Sequence, residues 1–219
     1  GVDVGATRSY KQEKMPQGMT AYKLSLKGLR GGHSGLDINL GKANANKLMF
    51  RFFQQAECDF GMRIAEYSGG DLRNAIPRES FATIVVPSIK KAQFEKFMKG
   101  YEKMYVAEFK EVDPDIKLIF KVADEPAKVM NEADQYRIIR GVFVCPNGVQ
   151  RMSASMPGVV ETSNNLSIVR IGNGKFEAFC LCRSSVESAK EATAWKIAAG
   201  FQLAGCEVEL SGSYPGWKP

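Results

Sequence analysis

Tyr22, Leu24 and Leu26 alternate with Lys23, Ser25 and Lys27. That period of two predicts a half-buried strand over Ala21 to Leu29. Ala45, Leu48, Met49, Phe52, Phe53 and Ala56 recur at three- and four-residue spacing, which predicts a helix from about Gly41 to Cys58 with one buried face. A strand follows from Gly61 to Tyr67, then a turn at Ser68-Gly69-Gly70-Asp71. Phe81 to Val86 is a continuous β-prone run that Pro87 stops, and Ser88 is placed to cap the next helix. Phe94, Phe97, Met98, Tyr101, Met104, Tyr105 and Phe109 share one face of that helix. After Asp113-Pro114-Asp115 turns the chain, Ile116, Leu118 and Phe120 alternate with lysines in another strand.

The order β-α-β-β-α-β predicts the split, ferredoxin-like arrangement. Its antiparallel sheet carries both helices on one face, and the other face is left for solvent or a partner. The second half repeats the style. Ala133 to Val144 reads as a helix, and residues 146–160 are rich in Pro, Gly and Ser around a short strand. Asn165 to Ile171 and Lys175 to Arg183 form a hairpin about Gly172-Asn173-Gly174. Ser184 and Glu187 have capping-box spacing before a helix that runs to about Leu203 and ends at Gly205. Cys206 to Leu210 is the last strand, and Ser213 to Pro219 is extended.

The expected fold is therefore α+β. It is a two-layer sandwich whose antiparallel sheet is extended by a second hairpin-helix-strand unit. Residues 1–20 lack clear periodicity and read as a connector, 21–212 as the domain proper, and 213–219 as the start of a return segment.

Composition changes this picture little. The chain has 219 residues, 44% hydrophobic and 25% charged, which is ordinary for a globular domain. No apolar run is long enough to cross a bilayer, and no secretory signal is visible at the N-terminus. The net charge of +6 is spread along the chain. No basic run, no aromatics set in a basic strand and no helix-turn-helix pattern accompany it, so neither nucleic acid nor membrane is an expected partner. Five scattered cysteines and one histidine do not form a zinc pattern, and buried reduced thiols are expected.

Candidate chemistry starts at Gly31-Gly32-His33-Ser34-Gly35, a strand-to-helix connection that holds the only histidine. Flanking glycines let the backbone adopt an open turn and let another group approach closely. Asn74, in Arg73-Asn74-Ala75-Ile76-Pro77, can both donate to and accept from a substrate amide. Arg183 ends an apolar strand and can clamp a carboxylate bidentately. The stretch Met156 to Asn165 reads as a polar-ended loop able to line a site. Proton donor, amide and carboxylate clamp make a set for holding an amide substrate with a free carboxylate. No nucleophile with a base and no metal cluster accompanies them, so the set reads as part of a site.

Together, Gly31-Gly32-His33-Ser34-Gly35 with Asp37-Ile38, Arg73-Asn74-Ala75-Ile76-Pro77, Met156-Pro157-Gly158-Val159-Val160-Glu161-Thr162-Ser163-Asn164-Asn165 and Tyr214-Pro215-Gly216-Trp217 resemble the M20 zinc metallopeptidases. The likeness is greatest to their aminoacyl-histidine dipeptidase branch. It implies a lid and dimerisation domain inserted in a cytoplasmic, two-zinc dipeptidase that hydrolyses Xaa-His dipeptides. It also implies that His33 stabilises the oxyanion and that Asn74, Arg183 and Gly216 contact substrate. The family's metal ligands have no counterpart here. The resemblance therefore implies no cofactor in this chain, two Zn²⁺ in the intact enzyme, and no activity from the chain alone. Its partners would be the dipeptide, its own catalytic domain and a second copy in a homodimer. From another class, a stand-alone ferredoxin-like module in which Arg183 and His33 hold a small anion fits the same residues. A basic RNA-binding α+β domain is a third reading.

Overall fold

The computed structural model describes residues 1–216. Trp217 to Pro219, the end of the expected extended segment, lie outside the described residues. The strands in the first half are β1 (Val2–Ser9), β2 (Gln12–Lys14), β3 (Met19–Lys27), β4 (Gly32–His33), β5 (Arg63–Gly69), β6 (Ala75–Ile76), β7 (Ser80–Pro87) and β8 (Lys117–Val122). Those in the second half are β9 (Lys128–Met130), β10 (Gly148–Met152), β11 (Val160–Gly172), β12 (Lys175–Ser184) and β13 (Glu207–Ser211). The helices are α1 (Ala45–Phe60), α2 (Lys91–Phe109), α3 (Glu132–Val144) and α4 (Glu187–Leu203).

The main sheet runs β13-β1-β12-β11-β5-β7-β3-β8, with β10 added against β11. Neighbours pair antiparallel throughout. Two βαββαβ units make up this order. One is β3-α1-β5-β7-α2-β8, as the sequence pattern predicts. The other is β1-α3-β11-β12-α4-β13, and the first unit is inserted between its β1 and its α3. Each unit brings its second strand to the middle of the sheet, where Val169 faces Gly69, Arg170 faces Ser68 and Ile171 faces Tyr67.

All four helices pack on one face. Phe52, Phe53 and Phe94 are fully buried there with Tyr22, Leu24, Leu26 and Ile84. Ile138, Ile197 and Phe201 are buried on the same face with Val4, Ala6, Phe176 and Ala178. Each of the buried Val, Leu, Ile and Phe side chains contributes roughly 1.5–3 kcal/mol through burial. On the opposite face, the β2–β9 ribbon covers one end through Val129, which is buried against Ala21, Ala65 and Val85.

Several expectations are corrected. Residues 2–9, read as connector, form a strand flanked on both sides by β12 and β13. Val2, Val4 and Ala6 do alternate, but Gly5 and the small Ala6 weaken the signal. Ser88 does not cap α2. It opens a short 3₁₀ turn, and its hydroxyl bonds Thr20 Oγ1 at 2.8 Å. The Ser184/Glu187 capping box does not form either, because the helix starts at Glu187 itself. Ser184 Oγ instead accepts from Val186 N–H, and Glu187 pairs with Lys190. Residues 160–165, read as loop, belong to β11, and Thr162 to Asn165 are buried.

Candidate functional site

His33 lies in the two-residue strand β4, which pairs with β6 so that His33 faces Ala75 and Gly32 faces Ile76. The preceding turn needs glycine. Gly31 has φ +61°, and a Cβ there would lie 2.9 Å from the Ile76 carbonyl oxygen. At Gly32 a Cβ would meet the Asp37 carboxylate at 2.5 Å. That carboxylate accepts from His33 N–H at 2.8 Å, so the missing side chain leaves room for the bond that fixes the histidine backbone. The imidazole is fixed as well. Its Nδ1 accepts from Gly35 N–H at 3.2 Å and from Leu36 N–H at 3.1 Å. A nitrogen that accepts carries no proton, so the neutral ring holds its hydrogen on Nε2 as a donor.

Asn74 is exposed on the turn before β6. Its carbonyl accepts from Ser34 N–H at 2.8 Å, so this turn and the histidine turn are bonded together. Arg73 beside it pairs with Asp3 at 3.2 Å. Asn165 of the expected loop and Asn44 at the start of α1 support the arrangement. Asn165 Nδ2 donates to the Ala75 carbonyl at 2.7 Å, and Asn44 Nδ2 lies 3.3 Å from Asn165 Oδ1. Asn44 also caps α1 through the N–H groups of Asn46 and Lys47.

Arg183 comes from β12 and approaches His33 across Gly35. A Cβ on Gly35 would lie 3.2 Å from His33 Cε1 and 3.3 Å from Arg183 Nε. The histidine and the guanidinium are thus neighbours separated by a residue without a side chain. Arg183 donates to the Tyr214 hydroxyl at 3.0 Å, and its buried Nε has no partner among the described residues. Gly35, Arg183 and Gly216 line one cleft of about 400 Å³, with Glu161 and Tyr214. Gly216 packs against the chain at Ser184, where a Cβ would meet the carbonyl oxygen at 2.6 Å. Lys190, only 2% exposed, secures this edge by donating to Tyr214 O at 3.0 Å and Ser213 Oγ at 3.2 Å.

The structure therefore brings Arg183 and Gly216 to one cleft, sets His33 beside Arg183 across Gly35 at its rim, and leaves Asn74 one residue from the partner of His33 on the adjoining ladder. Sequence reasoning missed Asp37, Asn165, Lys190 and Tyr214 as supports. Asp37, four residues from His33, was the legible one. Among the described residues no three His, Cys, Asp or Glu side chains gather as a metal site, so the residues present do not fit a zinc centre. Among the described residues no helix is long and apolar enough to cross a membrane.

Comparison with known proteins adds the family. The model of a peptidase dimerisation domain of the M20 type matches residues 24–113, most of the inserted βαββαβ unit. The cytosol non-specific dipeptidase of Escherichia coli (strain K12) is 38% identical over 221 residues, covering 100% of this chain and 45% of that protein. The crystal structure of an aminoacylhistidine dipeptidase from Vibrio alginolyticus matches with a TM-score of 0.97 at 38% identity, covering 100% of this chain and 44% of that one. The chain thus spans less than half the length of either relative.

Proposed function

This chain belongs to the M20 peptidase dimerisation domains, and from that premise we propose that it is the lid of a longer, zinc-dependent cytoplasmic dipeptidase. His33 is the residue that acts on the reacting atoms. When the scissile carbonyl is attacked, negative charge grows on its oxygen. A fixed N–H donor in a water-poor site stabilises that charge without first having to reorganise. His33 Nε2 is such a donor, because Nδ1 is already committed to two backbone N–H groups. That committed nitrogen is the observation that carries the reading.

Arg183 takes the free carboxylate of the dipeptide. Its Nε lacks a partner among the described residues, so an incoming carboxylate would satisfy a buried donor and form a charge-assisted bond. Asn74 and Gly216 complete the substrate wall, Asn74 through its exposed amide and Gly216 through close backbone approach. Dipeptides that end in histidine are the proposed substrates. The metal ions and the groups that activate the attacking water belong to the remainder of the enzyme, and no step through them is assigned to this chain. Pairing of two chains into a homodimer is part of the same reading and is checked by light scattering.

The test compares β-alanyl-histidine hydrolysis, with zinc, by this chain and by the longer protein that contains it. Activity is expected only in the longer protein. There, His33→Ala lowers kcat about 10²–10³-fold, the scale of losing one oxyanion donor. Arg183→Ala acts mainly on KM. Hydrolysis by the 219-residue chain itself would overturn the assignment.

A further inference from the structure

We infer that Asp113 is a positioning residue for His33, acting through both ends of the loop that carries it. The inference rests on the reading of His33 as a hydrogen-bond donor to the substrate oxygen. Asp113 lies 80 residues further along the chain, in the turn after α2, and is 0% exposed. Its two carboxylate oxygens are used separately. Oδ1 accepts from Arg30 N–H at 2.7 Å, and Oδ2 accepts from Ala43 N–H at 2.7 Å. Arg30 immediately precedes Gly31-Gly32-His33, and Ala43 immediately precedes the α1 cap Asn44. One buried side chain thus clasps the entry and the exit of the histidine loop.

The chemistry suits only a carboxylate. Among the described residues no cation pairs with Asp113, so backbone N–H groups are what stabilise its buried charge. An asparagine has one accepting oxygen and one donating NH₂, so it can satisfy one loop end while presenting a donor to the other. Between the clasped ends lie the two-residue β4 and a short 3₁₀ turn at Ile38–Leu40. Such a loop keeps its shape only if its ends are held. The N–H groups of Gly35 and Leu36, which select the Nε2–H form of His33, lie in the middle of that span.

The sole histidine makes the test direct, because imidazole nitrogen resonances of the chain report one residue. Wild type is expected to show a bare Nδ1 and a protonated Nε2. Asp113→Asn should populate both tautomers and speed amide exchange at Arg30 and Ala43 about tenfold or more, the scale of losing a bond to a charged acceptor. The core amide of Ile84 should be unchanged. A wild-type tautomer in the variant would overturn the inference. So would rapid exchange at Arg30 and Ala43 in the unmodified chain, a measurement that does not depend on the variant folding. In the longer enzyme, Asp113→Asn should lower kcat while KM stays within about twofold. A changed tautomer with unchanged kcat would also overturn it. A longer protein with no dipeptidase activity would sink the proposed function while leaving the tautomer result standing.

Discussion

The side-chain amide of Asn165 donates to the backbone carbonyl of Ala75 at 2.7 Å, across 90 residues of sequence. Ala75 is the residue that faces His33 on the β4–β6 ladder. A long strand in the middle of the sheet thus supports the short strand that displays the imidazole. Asn165 is buried, as are its neighbours Asn44 and Asn46, and polar groups that deep are stable only when bonded.

Asn165→Ala should therefore act locally as well as globally. It should cost roughly 1–3 kcal/mol of stability, because the carbonyl of Ala75 and the amide of Asn44 both lose a partner. Urea denaturation measures the loss. Faster amide exchange at Ser34 than at core positions would show that the histidine turn has loosened; equal change everywhere would count against this coupling.

Asn44→Ala removes the N-cap of α1 and the bonds from Nδ2 to Leu166 O at 3.0 Å and Asn147 Oδ1 at 3.1 Å. A cap alone contributes about 1 kcal/mol. The variant should lose more than a cap-only substitution, roughly 2–3 kcal/mol by thermal or chemical denaturation. A loss below about 1 kcal/mol would mean that the buried amide bonds add nothing to the cap.

Asp134 makes stability depend on acid. Burial opposes its charge, but Lys11 N–H, the Arg8 guanidinium and the Asn131 amide outweigh burial and hold its carboxyl below the usual range. With the folded value depressed, this contribution is complete at neutral pH. It is lost as the pH falls below the ordinary value of 3.8 and through the depressed one. Asp134→Asn should lower stability at pH 7 and flatten the acid limb of the pH–stability curve. An unchanged acid limb would exclude the role.

Thiol reactivity reports the fold. Cys58 is exposed, while Cys145, Cys180, Cys182 and Cys206 are buried. Burial pushes Cys182 up to about 12 and Cys206 up to about 11, so few thiolates form at neutral pH. A disulfide-exchange reagent should titrate Cys58 quickly in the native chain and the other four only on unfolding. Rapid reaction of all five would contradict the packing of β12 and α3.

The first βαββαβ unit was readable because its signals are local. Tyr22, Leu24 and Leu26 alternate along one strand, and Phe52 and Phe53 mark the buried face of α1. The matching unit was half hidden. Its first strand opens with the small-residue run from Val2 to Ala6, and the first half of its second carries Thr162, Ser163, Asn164 and Asn165, whose polarity suggests a loop. Three of those buried side chains bond distant partners: Thr162 with the Ser184 hydroxyl at 2.9 Å, Asn164 with Pro146 O at 2.6 Å and Asn165 with Ala75 O at 2.7 Å. No hydrophobic period records such bonds.

By itself the sequence determined the α+β class, the antiparallel sheet, the glycine turn around the only histidine and the motifs that point to its family. These follow from short-range rules: side-chain period, turn chemistry and local spacing. Only the tertiary structure decided that two βαββαβ units share one sheet, that Arg183 comes beside His33 across Gly35, and that Asp113 clasps the histidine loop from 80 residues away. Each of those depends on which strand edges meet and which buried carboxylate finds which backbone N–H. Long-range contacts of that kind are set by the packed core as a whole, and no local run of residues encodes them.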